Sequence, residues 1–470
     1  MRPHARLRLP ASGMKIAILG AGQVGSSVAE SLVSEQNDIT VVDLDAQRLR
    51  ALQDRLDLRT VTGHAAHPSV LREAGIEDTD LLIAVTQSDE TNLVACKLAS
   101  RLFNVPRRIA RVRAADFLDN PALLGRDGFD VDLAICPEQV LTDYLVKIVE
   151  YPEALQVLDF ANGRVRLVAV RAYEGGTLVG RPIREVRRQI PSVEVRIVAV
   201  FRGERALPPE GATVIEPGDE VFCLAPAGAI REVTRELRGA DRPVRRVMIA
   251  GGGNIGLRLA RALERDYTVK VIEHNKRRCE VLAERVERAL VLAGDATDEE
   301  LLAEESVADM DLFIAVTNDD ENNIMASLLA KRMGARRVVT LINRRSYVEL
   351  VQGERIDIAL NPAQATIGRL LAHVRRGDVV AVHSLRRGAA EALEAVVHGD
   401  RDSSAVCGRR VEEVELPPGT QIGAIVRGDR VLMAHHDTRI EPEDHVIVFV
   451  ADKRNLARVE RLFQVSPRYL

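Results

Sequence analysis

The sequence predicts an α/β fold: two tandem Rossmann-like domains, each followed by a small α+β module. Three observations predict it. Short, continuously apolar segments alternate with amphipathic helical ones, the mark of parallel strands covered on both faces. A glycine-rich turn, GAGQVG at residues 20–25, joins the first strand to the first helix. The whole pattern is also written twice. Gly20, Gly22 and Gly25 return 231 positions later as Gly251, Gly253 and Gly256, and DLLIAVTQSDETN from Asp80 returns at the same spacing as DLFIAVTNDDENN from Asp311.

The first copy reads, in order, as strands at 16–19, 39–43, 60–62, 81–85, 109–112 and 133–135. Helices are expected from 24, from 46, over 68–74 and over 89–103. A helix over 139–149 then leads into a different texture, with short alternating strands at 165–170, 195–201 and 220–224 broken by Gly and Pro. The later segments are duplicated as well: DLAICP from Asp132 recurs as DIALNP from Asp357, GRPIREV from Gly180 as GRRVEEV from Gly408, and IEPGDEV from Ile215 as IEPEDHV from Ile440. The expected bounds are an N-terminal extension 1–13, Rossmann parts 14–135 and 244–361, connecting helices 136–152 and 362–376, and small modules 153–238 and 377–470. A polar linker near 239–243 separates the copies.

Composition narrows the function classes. Of 470 residues, 46% are hydrophobic and 29% charged, and the net charge of −4 with 3% aromatics argues against a general nucleic-acid binder. Five scattered cysteines without a CxxC pair fit reduced thiols, and Cys96 and Cys279 read as buried small hydrophobes in helices. No apolar run reaches the roughly 18–20 residues of a membrane helix, and the first residues lack the apolar core of a signal peptide.

The chemistry sits at the glycines. A GxGxxG turn between strand and helix uses the first glycine for the tight turn, the second for close approach of a pyrophosphate and the third for helix–strand packing. The helix N-terminus then faces the anion. The expected contacts are Gly20, Ala21, Gly22, Gln23, Val24 and Gly25, and in the second copy Gly251, Gly253, Asn254, Ile255 and Gly256. Asp43 ends the second strand of the first copy and Glu273 that of the second, each placed to accept ribose hydroxyls and favour NAD(H) over NADP(H). The fingerprint reads diphosphate and ribose, so ADP and ATP also satisfy it.

Around this core, Thr86, Arg111 and Arg113 lie at strand ends where ligands sit in open parallel sheets, and either arginine is placed to reach a phosphate; Arg113 aligns with Asn343. His64 and Asp295 follow the third strand, where an adenine edge would be read. Acids opening the helices at Ser88-Asp89-Glu90 and Asn318-Asp319-Asp320-Glu321 fit capping and dipole roles. His64 and His67, and His435 and His436, lack a third metal ligand nearby. Lys276, Arg277 and Arg278 make the second copy more basic after its acid than the first.

GAGQVG with its distal Asp43, the AVTxxDExN box (84–92 and 315–323) and the β-rich modules, all duplicated in one chain, resemble the TrkA family. Those are the peripheral subunits of Trk potassium uptake systems, with lobes that are regulator-of-potassium-conductance (RCK) domains. The resemblance covers 14–470. It implies a non-enzymatic regulator on the cytoplasmic face of the inner membrane, assembled as a homo-oligomeric ring of four. It further implies NAD(H), with ATP or ADP in some members, and a membrane-embedded potassium-translocating partner that nucleotide binding gates. Two other readings use the same motifs: an NAD-dependent oxidoreductase, which needs a general acid or base near the nicotinamide, and a regulator of a different cation transporter.

Overall fold

The computed structural model describes residues 13–464 except 34–36, 204, 239–242, 345–346, 348–350, 352–355, 364–366, 368–369, 371–378 and 386–389. The expected N-terminal extension, the inter-copy linker and most of the second connecting helix lie outside the described residues. The chain forms two compact units, one of residues up to 140 with 362–367, the other of 141–361 with 368–470.

In the first unit six parallel strands form one sheet in the order Arg59–Thr62, Asp38–Asp43, Lys15–Leu19, Leu81–Ala84, Arg107–Arg111, Leu133–Ile135. The two central strands are buried on both faces, which is why they read as unbroken apolar runs. The order reverses between Lys15–Leu19 and Leu81–Ala84, and at such a switch point the carboxyl ends of the strands open a crevice. The glycine turn leaves from the first of these strands. Helix Asp89–Phe103 packs its Leu93, Cys96, Ala99 and Phe103 into the core beneath. Burial pushes the Cys96 thiol up to about 12 and leaves it a packing group.

The second large sheet repeats the topology: Leu290–Ala293, Thr268–Glu273, Arg246–Ala250, Leu312–Ala315, Arg337–Leu341, Ile358–Leu360. The expected helix after the first copy runs Pro137–Glu150, and its Leu141, Leu145 and Ile148 belong to the core of the second unit.

The small modules are five-stranded antiparallel sheets of one topology. One runs Arg205–Leu207, Arg196–Arg202, Glu220–Pro226, Val165–Arg171, Ala154–Phe160; the other runs Arg430–Met433, Thr420–Arg427, His445–Val450, Ala390–Val396, Val379–Leu385. Strand Ala154–Phe160 is absent from the sequence reading because a register shift between Ala154 and Gln156 breaks its alternation. The two sheets share one apolar cluster, in which Phe160, Phe222 and Leu224 meet Ala392, Val426 and Phe449. Gly423 sits directly against the other sheet, since a Cβ there would lie 2.7 Å from Leu224 Cδ2 and 3.0 Å from Val198 Cγ1. At the same junction Ala161 N donates to the buried Glu394 Oε2 at 2.7 Å. The modules therefore pair with each other within the chain.

The structure explains the duplicated IEPxDxV segments. Asp219 and Asp444 are fully buried, and each accepts Nε and Nη2 of an arginine on a neighbouring strand, Arg202 and Arg427, at 2.8–2.9 Å. Each also accepts a backbone N–H three residues earlier, from Glu216 and Glu441. The bidentate pair ties the turn to the sheet. Removing Asp444 breaks the bidentate pair and leaves the Glu441 N–H without its acceptor, although Arg427 keeps its pair with Glu441 at 2.6 Å, so Asp444→Ala is expected to destabilise its module by about 2 kcal/mol. A lower urea midpoint of unfolding, against an unchanged one for the exposed Asp429→Ala, checks this.

Candidate functional site

Each glycine turn is shaped by contacts that only glycine allows. Gly20 and Gly251 adopt φ of +108° and +107°, a left-handed backbone that side chains disfavour. A Cβ on Gly25 would sit 1.8 Å from the Gly20 carbonyl oxygen, and one on Gly256 would sit 1.9 Å from that of Gly251. The third glycine thus lets the helix start directly against the first. The second glycine behaves differently: a Cβ on Gly22 or Gly253 meets nothing within 4 Å. Its freedom is toward open space, where a ligand's phosphates would approach. Helices Gln23–Val33 and Asn254–Leu263 begin at once, with Ser26 N donating to Gly22 O and Leu257 N to Gly253 O. The first-turn N–H groups, those of Gln23, Val24 and Gly25 and of Asn254, Ile255 and Gly256, have no intrahelical acceptor and bear the positive end of the dipole.

The acid at the end of the second strand fixes this turn. Asp43 Oδ2 accepts Ala21 N at 2.5 Å and Oδ1 accepts Asp45 N at 2.8 Å. Glu273 does the same work, with Oε2 accepting Gly252 N and Oε1 accepting Asn275 N, both at 2.8 Å. The two acids differ in reach. Asp43 is partly exposed, whereas Glu273 is 7% exposed.

The longer Glu273 also accounts for the glycine run of the second copy. A Cβ on Gly252 would lie 3.1 Å from Glu273 Oε2 and 2.2 Å from Leu282 Cδ1. The first copy has Ala21 at this position beside the shorter aspartate. Leu282 crowds this position more closely than Glu273, and the glycine makes room for both.

The AVTxxDExN box is a brace. Asn92 is fully buried; its Oδ1 accepts the N–H and hydroxyl of Thr86, and its Nδ2 donates to Thr86 O and Arg111 O. Asn323 makes the same four bonds with Thr317 and Leu341. The Thr86 hydroxyl proton is thereby committed to Asn92. Ser88 and Asp319 cap their helices as expected. Asp89 and Asp320 go further, each accepting two successive backbone N–H groups of the loop after the fifth strand. Spacing alone did not single out these bracing roles, although the box recurs in both copies.

The remaining candidates fall at the strand ends but are engaged. Arg111 pairs with Glu138 at 3.2 Å, and Arg113 with Asp89 at 3.4 Å and with the Gln87 carbonyl. The aligned Asn343 bonds Asp320 instead. His64 Nδ1 accepts Ala66 N, its ring stacked on His67 at 4.7 Å between centroids. Asp295 accepts the N–H and hydroxyl of Thr297, which hold its carboxyl below the usual range. Cys279 is only partly buried, a correction to the sequence reading, because it lies in the first turn of its helix with Sγ 3.3 Å from Glu273 O.

Comparison with known proteins gives a consistent family. The TrkA-N domain matches residues 16–137 and 247–362, and the TrkA-C domain matches 167–238 and 401–464. The chain is 58% identical to the Trk system potassium uptake protein TrkA of Halomonas elongata, over 96% of this chain and 99% of that one. It is 54% identical to the TrkA of Vibrio alginolyticus, over 97% and 100%. Among solved structures the GsuK RCK domain superposes with a TM-score of 0.60 at 17% identity, over 98% of each chain. The GsuK channel bound to NAD gives 0.61 at 18%, over 98% of this chain and 81% of that one.

This crowding in the second copy is testable as a thermodynamic cycle. Gly252→Ala alone is expected to cost about 1–3 kcal/mol through overpacking. Adding Glu273→Asp is expected to recover part of that cost, because the two side chains compete for one space. Chemical denaturation of the four variants measures the coupling; strictly additive effects would contradict it.

Proposed function

The chain belongs to the TrkA family, and on that premise we propose that it is a nucleotide-sensing regulatory subunit of a potassium uptake system. One observation carries the reading: both copies place a glycine with an open Cβ direction between a helix N-terminus and an acid at the end of the second strand. Packing accounts for the first and third glycines; the open side of the second is where a ligand's phosphates would approach. In the first lobe the fit is to NAD(H). The pyrophosphate would lie on the N–H groups at 22–25, and the partly exposed Asp43 would accept the adenosine ribose hydroxyls with its remaining lone pairs. The second lobe would hold its nucleotide at Gly251, Gly253, Asn254, Ile255, Gly256 and Glu273, with ADP or ATP as the alternatives to NAD(H).

The nucleotide acts here as an effector. The polar side chains that rim the crevice, Thr86, Asp89 and Asn92 with Thr317, Asp320 and Asn323, are committed to one another and to backbone groups. Such a ligand shifts a regulator only by binding its two shapes with different affinity. The proposed assembly is a homo-oligomer, a ring of four, on the cytoplasmic face of the membrane beneath a potassium-translocating partner. The proposed domain bounds follow the sequence repeat, 14–135 with 153–238 and 244–361 with 377–470. Among the described residues no helix is long and apolar enough to cross a membrane, so the partner supplies the transport path.

Two measurements test this. Asp43→Ala removes a charge-assisted contact worth about 1.5–3 kcal/mol, so NADH affinity at the first lobe should fall roughly ten- to hundredfold. Titration calorimetry on the full chain, with Gly253→Val filling the second site, reads it, and unchanged affinity removes Asp43 from the site. Recruitment to the membrane is expected to need the protein partner, since the chain's net charge is −4 and anionic headgroups repel it. Flotation with anionic liposomes lacking the partner should leave the chain in solution; robust flotation would count against a protein dock.

A further inference from the structure

The two lobes differ most in the helix that follows the acid. In the first lobe its N-cap is Asp45, which accepts Gln47 N and Arg48 N and also pairs with the Arg48 guanidinium at 3.3 Å. The arginine is neutralised by its own cap. In the second lobe the N-cap is Asn275, which accepts Arg278 N from the equivalent position of the helix. An amide carries no charge to hold the guanidinium. Arg278 instead lies against the glycine turn, with Nε donating to Gly252 O at 2.7 Å. Its Nη2 is buried and has no hydrogen-bond partner among the described residues.

A buried guanidinium nitrogen without an acceptor costs free energy, and its placement beside the turn indicates what would satisfy it. Two further observations have the same sign. Lys276 and Arg277 stand exposed in the first turn of this helix, where cations oppose the dipole unless an anion is near. Glu273 is buried, with both oxygens already accepting backbone N–H groups and with His274 Nδ1 3.1 Å from Oε1. Its charge is shielded more than that of Asp43, and it presents less to a ribose.

We infer that Arg278 makes the second lobe a reader of terminal phosphates, the doubly charged groups that ADP and ATP carry at the end of the phosphate chain and NADP carries on its ribose, and that NAD lacks. The guanidinium fork matches a phosphate oxygen pair, and a terminal phosphate is close to a dianion at neutral pH, whereas both phosphates of NAD are bridging and singly charged. The first lobe reads the ribose through Asp43; the second reads phosphate charge through an arginine that its neutral cap released. The inference rests on the second glycine turn being a nucleotide site.

The test uses the full chain with Gly22→Val, which fills the open side of the first turn and leaves the second as the site measured. Calorimetry with ADP, ATP, NADP and NAD is compared with and without Arg278→Gln. Expected is a loss of roughly ten- to hundredfold for one or more of the three ligands with a terminal phosphate, with NAD changing less than about threefold. A preference for ADP and ATP over NADP places the terminal phosphate at the end of the phosphate chain; the reverse places it on the ribose. Asn275→Asp, which restores the acidic cap and leaves Arg278 in place, should lower the affinity for these ligands in the same direction. Equal losses for all four ligands would assign Arg278 a merely structural role and overturn the inference, as would unchanged affinities. A Gly22→Val chain that binds no nucleotide also overturns it, and the first-lobe reading then stands if the Gly253→Val chain still binds NADH.

Discussion

The contact between the first and third glycines of each turn is the constraint on which the rest of the molecule depends. With the Gly25 Cα against the Gly20 carbonyl, and Gly256 against Gly251, the helix must begin within three residues of the strand end. That fixes the direction of its dipole and the height of its free N–H groups above the sheet. The acid on the neighbouring strand then pins the turn through one backbone N–H, Ala21 in one copy and Gly252 in the other. Under the proposed function the carboxylate that holds the turn is also the one that would meet a ribose, so loop geometry and ligand recognition would share a group.

Duplication followed by divergence is legible at that shared group. The topology, the Asn92 and Asn323 staples and the two buried Asp–Arg pairs are kept in both copies to within a few tenths of an ångström of bond length. Around the shared acid the changes include Asp43 to Glu273, Ala21 to Gly252 and Asp45 to Asn275. The first two changes compensate sterically and keep the turn in place. The third is electrostatic, and it alters which partner an equivalent arginine takes. On the proposed reading a ligand preference could therefore change without any change of fold, because backbone contacts hold the scaffold while a few charges around it would set the selectivity.

The small modules bear on how a bound nucleotide would be felt elsewhere. The two antiparallel sheets face each other through Phe160, Phe222, Leu224, Val426 and Phe449, and the first module shares a continuous core with the second large sheet. Packed interiors resist gradual deformation. Within this unit, a shift at the second glycine turn would be passed on as a rigid displacement, so the modules suit the transmission of a change more than its absorption.

Much of this was determined by the sequence alone. Period-two and continuous apolar runs marked the strands, the glycine and acid spacings marked both glycine turns, and the exact return of DLxIAVT marked the duplication, because each depends on local backbone geometry and side-chain polarity. Helix Asp89–Phe103 and strand Leu133–Ile135 lie where the pattern put them. The bulged strand Ala154–Phe160 did not show in the pattern, since a register shift erases alternation. The acids of the AVTxxDExN box read as caps, and only the fold brought the loop N–H groups of Arg113 and Ala114 to Asp89. Arg111 and Arg113 were correctly placed at strand ends, but their ion pairs with Glu138 and Asp89 join elements 24 or more residues apart. The meaning of Gly252 and Arg278 was likewise tertiary. Which atoms a Cβ would strike, and which arginine is left without its acid, are decided by neighbours that the chain brings together only on folding.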